Sequence, residues 1–263
     1  MSINTVDSED ISHLESVLGA NEETIVVGPS SDMLDKILTI ALSTSQGSIT
    51  VYVNKSVLED AVDPFYMASK VSELVDSGKL SLFASKSDTS TLLVNETTVY
   101  VLASVAGEEL ISPIVDDEAE SEVLSQVDEI MRRATEYTPS ARPPRALSES
   151  FATYITSEAG DDFKTAFDAV VDNGLEVTGV TLALIAGAYR GGQQYTISKW
   201  CVENDIASAA TVSRRKKELE QQGVITVEKD MQDLGRPRHR LHLDGNLQNC
   251  NSIVTVLQQL AAS

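Results

Sequence analysis

SAATVSRRKKELEQQG, residues 208–223, sets two arginines and two lysines side by side in a chain with 40 Asp and Glu against 20 Lys and Arg. Read as a helix, it has Ser208 at the capping position and Gly223 as its stop. Val212 and Leu219 are seven residues apart and share an inward face. That turns Ala209, Thr211, Ser213, Arg214 and Lys217 outward or toward the helix start. Alone, the run reads first as a solvated helix face with i,i+4 pairs such as Arg214–Glu218 and Lys216–Glu220. Its neighbours decide between the two.

Before it comes TISKWCVEND (196–205), a helix with Thr196 as its expected cap. Ile197, Trp200 and Cys201 fall at i, i+3 and i+4 and form one buried edge. Ile206 fills the turn. After it come two short strands, VITVEKD (224–230) and RHRLHLDG (238–245), joined by the loop in DMQDLGRPRHR (230–240). Arg238, Arg240 and His242 alternate onto one strand face, and His239, Leu241 and Leu243 onto the other. The order helix, turn, helix, strand, loop, strand is that of a winged helix-turn-helix. Such a unit lays the start of its second helix in a major groove. Ser208, Ala209, Thr211, Ser213, Arg214 and Lys217 are then the base-facing set, since small residues allow close approach and Arg pairs bidentately with guanine. Arg236, Arg238 and Arg240 suit phosphates beside the groove. The expected partner is double-stranded DNA at a promoter operator. Winged helices also serve as protein-binding scaffolds, and that alternative stays open.

Upstream, LSESFATYITSE (147–158), DDFKTAFDAVVDNG (161–174) and VTGVTLALIAGAYRGG (177–192) read as three helices, the last with Leu182, Ile185, Ala186 and Tyr189 at core spacing. Downstream, NLQNCNSIVTVLQQLAA (246–262) reads as one amphipathic helix with Leu247, Cys250, Ile253, Leu257 and Leu260 on one side. That stripe either folds back on its own domain or pairs with its twin. The expectation is a homodimer, which would match a palindromic operator.

TPSARPPRA (138–146) carries three prolines and reads as an interdomain linker. It separates residues 1–137 from the DNA-binding domain at 147–263. The N-terminal part alternates strand and helix signals: ETIVVG, PSSDMLDKILTIALST, GSITVYVN, DPFYMASKVSELVDSG, then KLSLFAS, STLLVN and TTVYVLAS. A closing helix, SEVLSQVDEIMRRATEY (121–137), shows an apolar stripe of Val123, Leu124, Val127, Ile130, Met131 and Ala134. The fold class expected is an α/β N-terminal domain followed by a mostly α winged helix-turn-helix domain with a C-terminal helix. In VVGPSSDML, Gly28, Ser30 and Ser31 sit where a strand turns into a helix, a place that could hold a phosphate or carboxylate. The glycine pattern of a nucleotide-binding loop is missing, and a plain capped helix is the better reading there.

The net charge is −20, and its distribution is uneven. Residues 1–137 hold 7 Lys and Arg against 25 Asp and Glu, whereas residues 196–243 hold 9 against 7. Acids spread so widely fit a protein working in molar salt, as in a haloarchaeal cytoplasm, where self-repulsion is screened. No apolar run approaches the ~20 residues that span a bilayer, and the acidic start lacks a signal-peptide core. A cytoplasmic protein without membrane contact is expected. Cys201 and Cys250 lack ligand spacing, so no metal or other cofactor is expected. The N-terminal part offers only His13 and no cysteine for chemistry, which argues against an enzyme.

The segment from Thr181 to Leu243, above all LGRPR (234–238), resembles the TbsP family of haloarchaeal transcriptional regulators, and ETIVVGPSSDMLDKIL with the Pro-rich linker fits the same layout. The resemblance implies a sequence-specific transcription factor, a repressor or activator, acting on central sugar-metabolism genes. It also implies an N-terminal α/β domain that senses a small effector, a sugar or phosphorylated metabolite.

Overall fold

The computed structural model describes residues 14, 15, 18, 23–43, 47–62, 65–86, 90–96, 98–105, 108–230 and 238–261. The chain divides into two compact units, Met1–Ser140 and Ala141–Ser263.

Unit 1 is built on a sheet of seven strands: β1 (Glu23–Val27), β2 (Ser48–Val53), β3 (Leu80–Ala84), β4 (Thr91–Val94), β5 (Val99–Val105), β6 (Glu108–Pro113) and β7 (Thr135–Glu136). Their order across the sheet is β6-β5-β4-β1-β2-β3-β7. β1, β2 and β3 are parallel, and the remaining pairings are antiparallel. Helix α1 (Ser31–Ser43) links β1 to β2, while α2 (Lys55–Ala61) and α3 (Phe65–Asp76) link β2 to β3. Both crossovers step in the same direction, so their preferred right hand puts these helices on one face. The alternation of the strands serves both faces. Val26, Val51 and Leu82 are buried on one. Val27, Tyr52 and Leu92 are buried on the other beneath α4 (Asp117–Arg133), which contributes Val127. Asp116 caps α4 by accepting from the Ala119 N–H at 2.8 Å.

The apolar stripe read along α4 is otherwise as expected, but Leu124 is exposed and off the sheet. β6, β7 and α2 carried no signal strong enough to be read. β7 is two residues long and exists only through its pairing with Phe83 and Ala84.

Unit 2 holds α5 (Pro144–Tyr154), α6 (Ser157–Asp172), α7 (Gly179–Tyr189), α8 (Gln194–Glu203), α9 (Ala209–Gln221), a hairpin of β8 (Ile225–Asp230) and β9 (Arg238–Leu243), a 3₁₀ turn (Gly245–Asn249) and α10 (Ile253–Ala261). The linker reading of 138–146 needs correction at its end, because Pro144, Arg145 and Ala146 form the first turn of α5. Proline suits that position, where its missing N–H has no partner to lose. The core is aromatic. Trp200 is fully buried, stands edge-on to Phe151 at 4.7 Å and Phe163 at 5.1 Å, and donates its indole N–H to Ser150 at 3.1 Å.

Two further expectations are corrected. Thr196 does not cap α8, which starts two residues earlier after Gln193. Gln193 bridges to Arg240, and Leu241 N–H donates to Gly192 at 2.9 Å, so pairing with β9 fixes where that helix begins. The segment 246–262 is not one helix. The 3₁₀ turn, capped by Asp244, ends before Cys250, and Ser252 caps a new helix by accepting from Thr255 N–H. Three asparagines, a glycine and a serine in 245–252 favour such a break. Ile253, Val256 and Leu257 are buried, with α10 packed on α6, so this stripe is folded back on its own unit.

Gly160 sits where α5 and α6 touch. A Cβ there would lie 2.7 Å from both Ala152 Cβ and the Ser148 carbonyl. Gly-to-Ala in a helix interior ordinarily stabilises by about 1 kcal/mol. Here the neighbours include backbone, and Gly160→Ala is expected to cost about 1–3 kcal/mol through overpacking. Denaturant unfolding at fixed KCl checks the sign.

Candidate nucleic-acid interface

α8 and α9 meet through a five-residue turn whose geometry is set by α8. Asn204 caps it, buried, its side-chain N–H donating to the Trp200 carbonyl at 2.9 Å. Asp205 takes φ 54°, a left-handed conformation that Asp tolerates better than most residues. Ile206 N–H returns to the Cys201 carbonyl at 2.9 Å. α9 then opens at Ser208, whose hydroxyl accepts from Thr211 N–H at 3.2 Å. It closes before Gly223 at φ 67°.

The four consecutive cations separate by role. Successive helical residues point about 100° apart, so the run faces several ways. Arg215 is half-buried: its Nε donates to Thr181 Oγ1 at 2.8 Å and its Nη1 to Glu218 at 3.0 Å. Lys216 pairs with Glu220 at 2.9 Å, as the sequence suggested. The expected Arg214–Glu218 pair is corrected, since Glu218 is taken by Arg215, which the α7 contact holds in place. Arg214 and Lys217 are exposed and form no ion pair with a described residue.

The outer face of α9 therefore consists of Ala209, Ala210, Ser213, Arg214 and Lys217, all exposed, with Ser208 at its start. It carries no acid. Val212 and Leu219 are 1% and 0% exposed and hold the opposite face inward. Thr211 is half-buried, its hydroxyl 2.9 Å from that of Ser208, so both hydroxyls are engaged in the cap. Ala210 belongs to this face and was not singled out; its place in an i,i+3 and i,i+4 set with Ser213 and Arg214 is the signal that could have found it. Tyr195, 75% exposed, was also missed. It lines a shallow groove with Thr153, Tyr154, Thr196 and Lys199 at the start of α8.

Beyond α9 the hairpin pairs Glu228 with Arg240 and Thr226 with His242. Arg240 is exposed and its Nη1 donates to the Gly191 carbonyl at 3.3 Å. His242 packs over Gly191, where a Cβ would meet its ring at 3.1 Å. Arg236 and the rest of 231–237 lie outside the described residues; Arg238 is the first residue of β9.

In unit 1, Gly28 takes φ 66° at the end of β1 and donates its N–H to the Tyr52 carbonyl at 2.8 Å. Ser30 accepts from Met33 N–H at 3.3 Å and so caps α1, with Ser31 exposed beside it. The first of these groups belongs to the sheet and the second to the helix start. Among the described residues no cluster of His, Cys, Asp or Glu could hold a metal ion, and no helix is long and apolar enough to cross a membrane. Burial pushes the Cys201 thiol up to about 12.

Two measurements follow from this geometry. Arg215→Ala leaves Thr181 and Glu218 without their shared partner and is expected to cost about 1–3 kcal/mol of stability, read from chemical denaturation. Cys201 is buried and its thiol is pushed up by that burial, so alkylation of the folded chain at pH 8 should label Cys250 and spare Cys201, as mass spectrometry would show.

Two family profiles match the chain. "Transcriptional regulator TbsP-like, N-terminal" covers residues 3–141, and "Transcriptional regulator TbsP-like, C-terminal HTH domain" covers residues 143–260. No curated protein matches the chain in sequence. Among solved structures, TrmBL2, described as an archaeal chromatin protein with a novel mode of DNA binding, is similar at 15% identity and a TM-score of 0.35. The match covers 49% of this chain and 51% of that one, so this chain spans about half the length of TrmBL2. The two profiles together run through both units and take in the α8–α9 pair, and the chain belongs to the TbsP-like transcriptional regulator family.

Proposed function

We propose that this protein is a sequence-specific regulator of transcription in which α9 reads promoter DNA through the major groove. The observation that carries this is the acid-free outer face of α9, with Arg214 and Lys217 exposed in a chain of net charge −20. A polyanion is attracted to that face and repelled by most of the rest. Ala209, Ala210 and Ser213 leave room for close approach, and Arg214 sits where a groove-facing side chain meets base edges. Ser208 and Thr211 lie at the helix start, where the N–H groups of the first turn suit a phosphate. Arg236, Arg238 and Arg240, read from the sequence as wing and strand residues, would follow the adjacent backbone.

Family resemblance supports genes of sugar and central carbon metabolism as targets, under repression or activation, and haloarchaeal salt as the setting. Unit 1 then acts as the effector-sensing part, its ligand a sugar or phosphorylated metabolite. A homodimer would place two α9 helices on a palindromic operator. Ile253 and Leu257 of the C-terminal stripe are already covered within unit 2 and would not form its seam.

At molar salt, counterion release gives little affinity, and base contacts carry more of the binding. Arg214→Ala should therefore cost roughly 1–3 kcal/mol on the operator and little on scrambled DNA. Arg236→Ala should weaken both alike and lower the salt slope by about one. Fluorescence anisotropy of both variants across a KCl series separates these outcomes. Equal losses on both DNAs for Arg214→Ala would remove the base-reading role.

A further inference from the structure

Unit 1 has few cations, and three of the 7 held by residues 1–137 line one cleft. They are Lys55, Lys86 and Arg133, and Glu129 is the only acid among the lining residues. The cleft has a volume of about 720 Å³, within the usual range for a small-molecule site. It opens where β2 and β3 end: Asn54 and Lys55 follow β2, Ser85 and Lys86 follow β3, and the last turn of α4 supplies Glu129 and Arg133. Open α/β sheets bind ligands beyond the carboxyl ends of their parallel strands, where successive loops part.

Charge alone would describe a solvated rim, and two of the cations are already paired on the surface. Lys55 lies 3.2 Å from Glu59, and Arg133 pairs with Glu129. The floor differs from the rim. Ser85 is only 8% exposed, and its hydroxyl is buried with no hydrogen-bond partner among the described residues. Its N–H continues the ladder to the Val53 carbonyl at 2.8 Å. Strand alternation puts Ser85 on the same face as Phe83, the face that α4 covers. A buried hydroxyl without a partner costs free energy comparable to a lost hydrogen bond. Turned toward the cleft, that hydroxyl would donate to a ligand oxygen there.

We propose that this cleft binds a small phosphorylated metabolite, its phosphate held by Lys86, Lys55 and Arg133 and by a hydrogen bond from Ser85. Lys86 is exposed and forms no ion pair with a described residue, so it is available to an anion at once. Arg133 would exchange Glu129 for the ligand, a bidentate contact of the kind guanidinium makes with phosphate. The cleft is separate from Gly28, Ser30 and Ser31, none of which lines it. The proposal deepens the effector-sensing reading of unit 1, and it rests on that reading only for any effect on DNA.

The test uses the full chain in fixed KCl, with glucose 6-phosphate, inorganic phosphate and glucose as probes in calorimetric titration and thermal melting. Saturable binding of the phosphorylated probe, at least tenfold tighter than glucose, is expected. Lys86→Gln with Arg133→Gln should weaken it at least tenfold. Ser85→Ala should weaken it several-fold while melting no lower than the parent without ligand, since it removes only an unpartnered hydroxyl. Equal binding of glucose and its phosphate, binding unchanged in the charge variant, or no binding by either phosphate probe would overturn the site. Binding that leaves operator affinity untouched would support the site and defeat the effector reading. A phosphate-dependent change in operator affinity that survives the charge variant would do the reverse.

Discussion

The helix-turn-helix unit depends on one helix that has no polar face. Every residue of α7 from Gly179 to Ala188 is buried. A helix apolar all round is stable only where neighbours cover every side. α6, α8, α9 and β9 pack around it. Its contact with α8 is close at Gly187, where a Cβ would lie 2.3 Å from Ile197 Cδ1. Thr181 near its start receives Arg215 from α9. Trp200, wedged between Phe151 and Phe163, fixes the other side of α8. The direction in which α9 presents its outer face follows from how α7 is enclosed.

That arrangement explains how so acidic a chain can present a cationic surface. Arg215 and Lys216 are spent on Thr181, Glu218 and Glu220, which positions α9 and neutralises its acids. The adjacent Arg214 and Lys217 are left outside. Charge sign alone does not distinguish the four residues. Helical phase does, because about 100° separates each from the next. In high salt the exposed pair contributes less by long-range attraction than by short-range geometry, so the rigidity of the helix under it matters more.

Unit 1 follows a comparable logic with a sheet. The parallel strands β1, β2 and β3 send their connections to one face and leave the other to α4. α4 covers Val27, Tyr52 and Leu92 and stops at Arg133, where the chain turns back to pair with β3. The space beyond the strand ends, between that last turn and Ser85, is the cleft.

Much of this was present in the sequence. Ser208 and Gly223 marked the ends of α9 to within a residue, and Val212 and Leu219 marked its inward face, because caps and helical period are local. Trp200 with Ile197 and Cys201 was legible as core for the same reason, and so were the first five strands. The sequence also located the single net-positive segment at 196–243. What depended on distant partners was not legible. α8 begins at Gln194 because β9 bridges to Gln193, a contact across more than 40 residues (roughly the length of a βαβ unit). Glu218 pairs with Arg215 because Thr181, on another helix, steadies that guanidinium. The residues of 245–252 favour a break locally, but the covering of Ile253, Val256 and Leu257 by α6 depended on a distant partner. The cleft lined by Lys55, Lys86 and Arg133 joins three segments that no spacing relates. Local sequence sets which conformations each segment prefers, whereas the burial of apolar area and the pairing of buried polar groups are settled only between segments, and they decide which preference is kept.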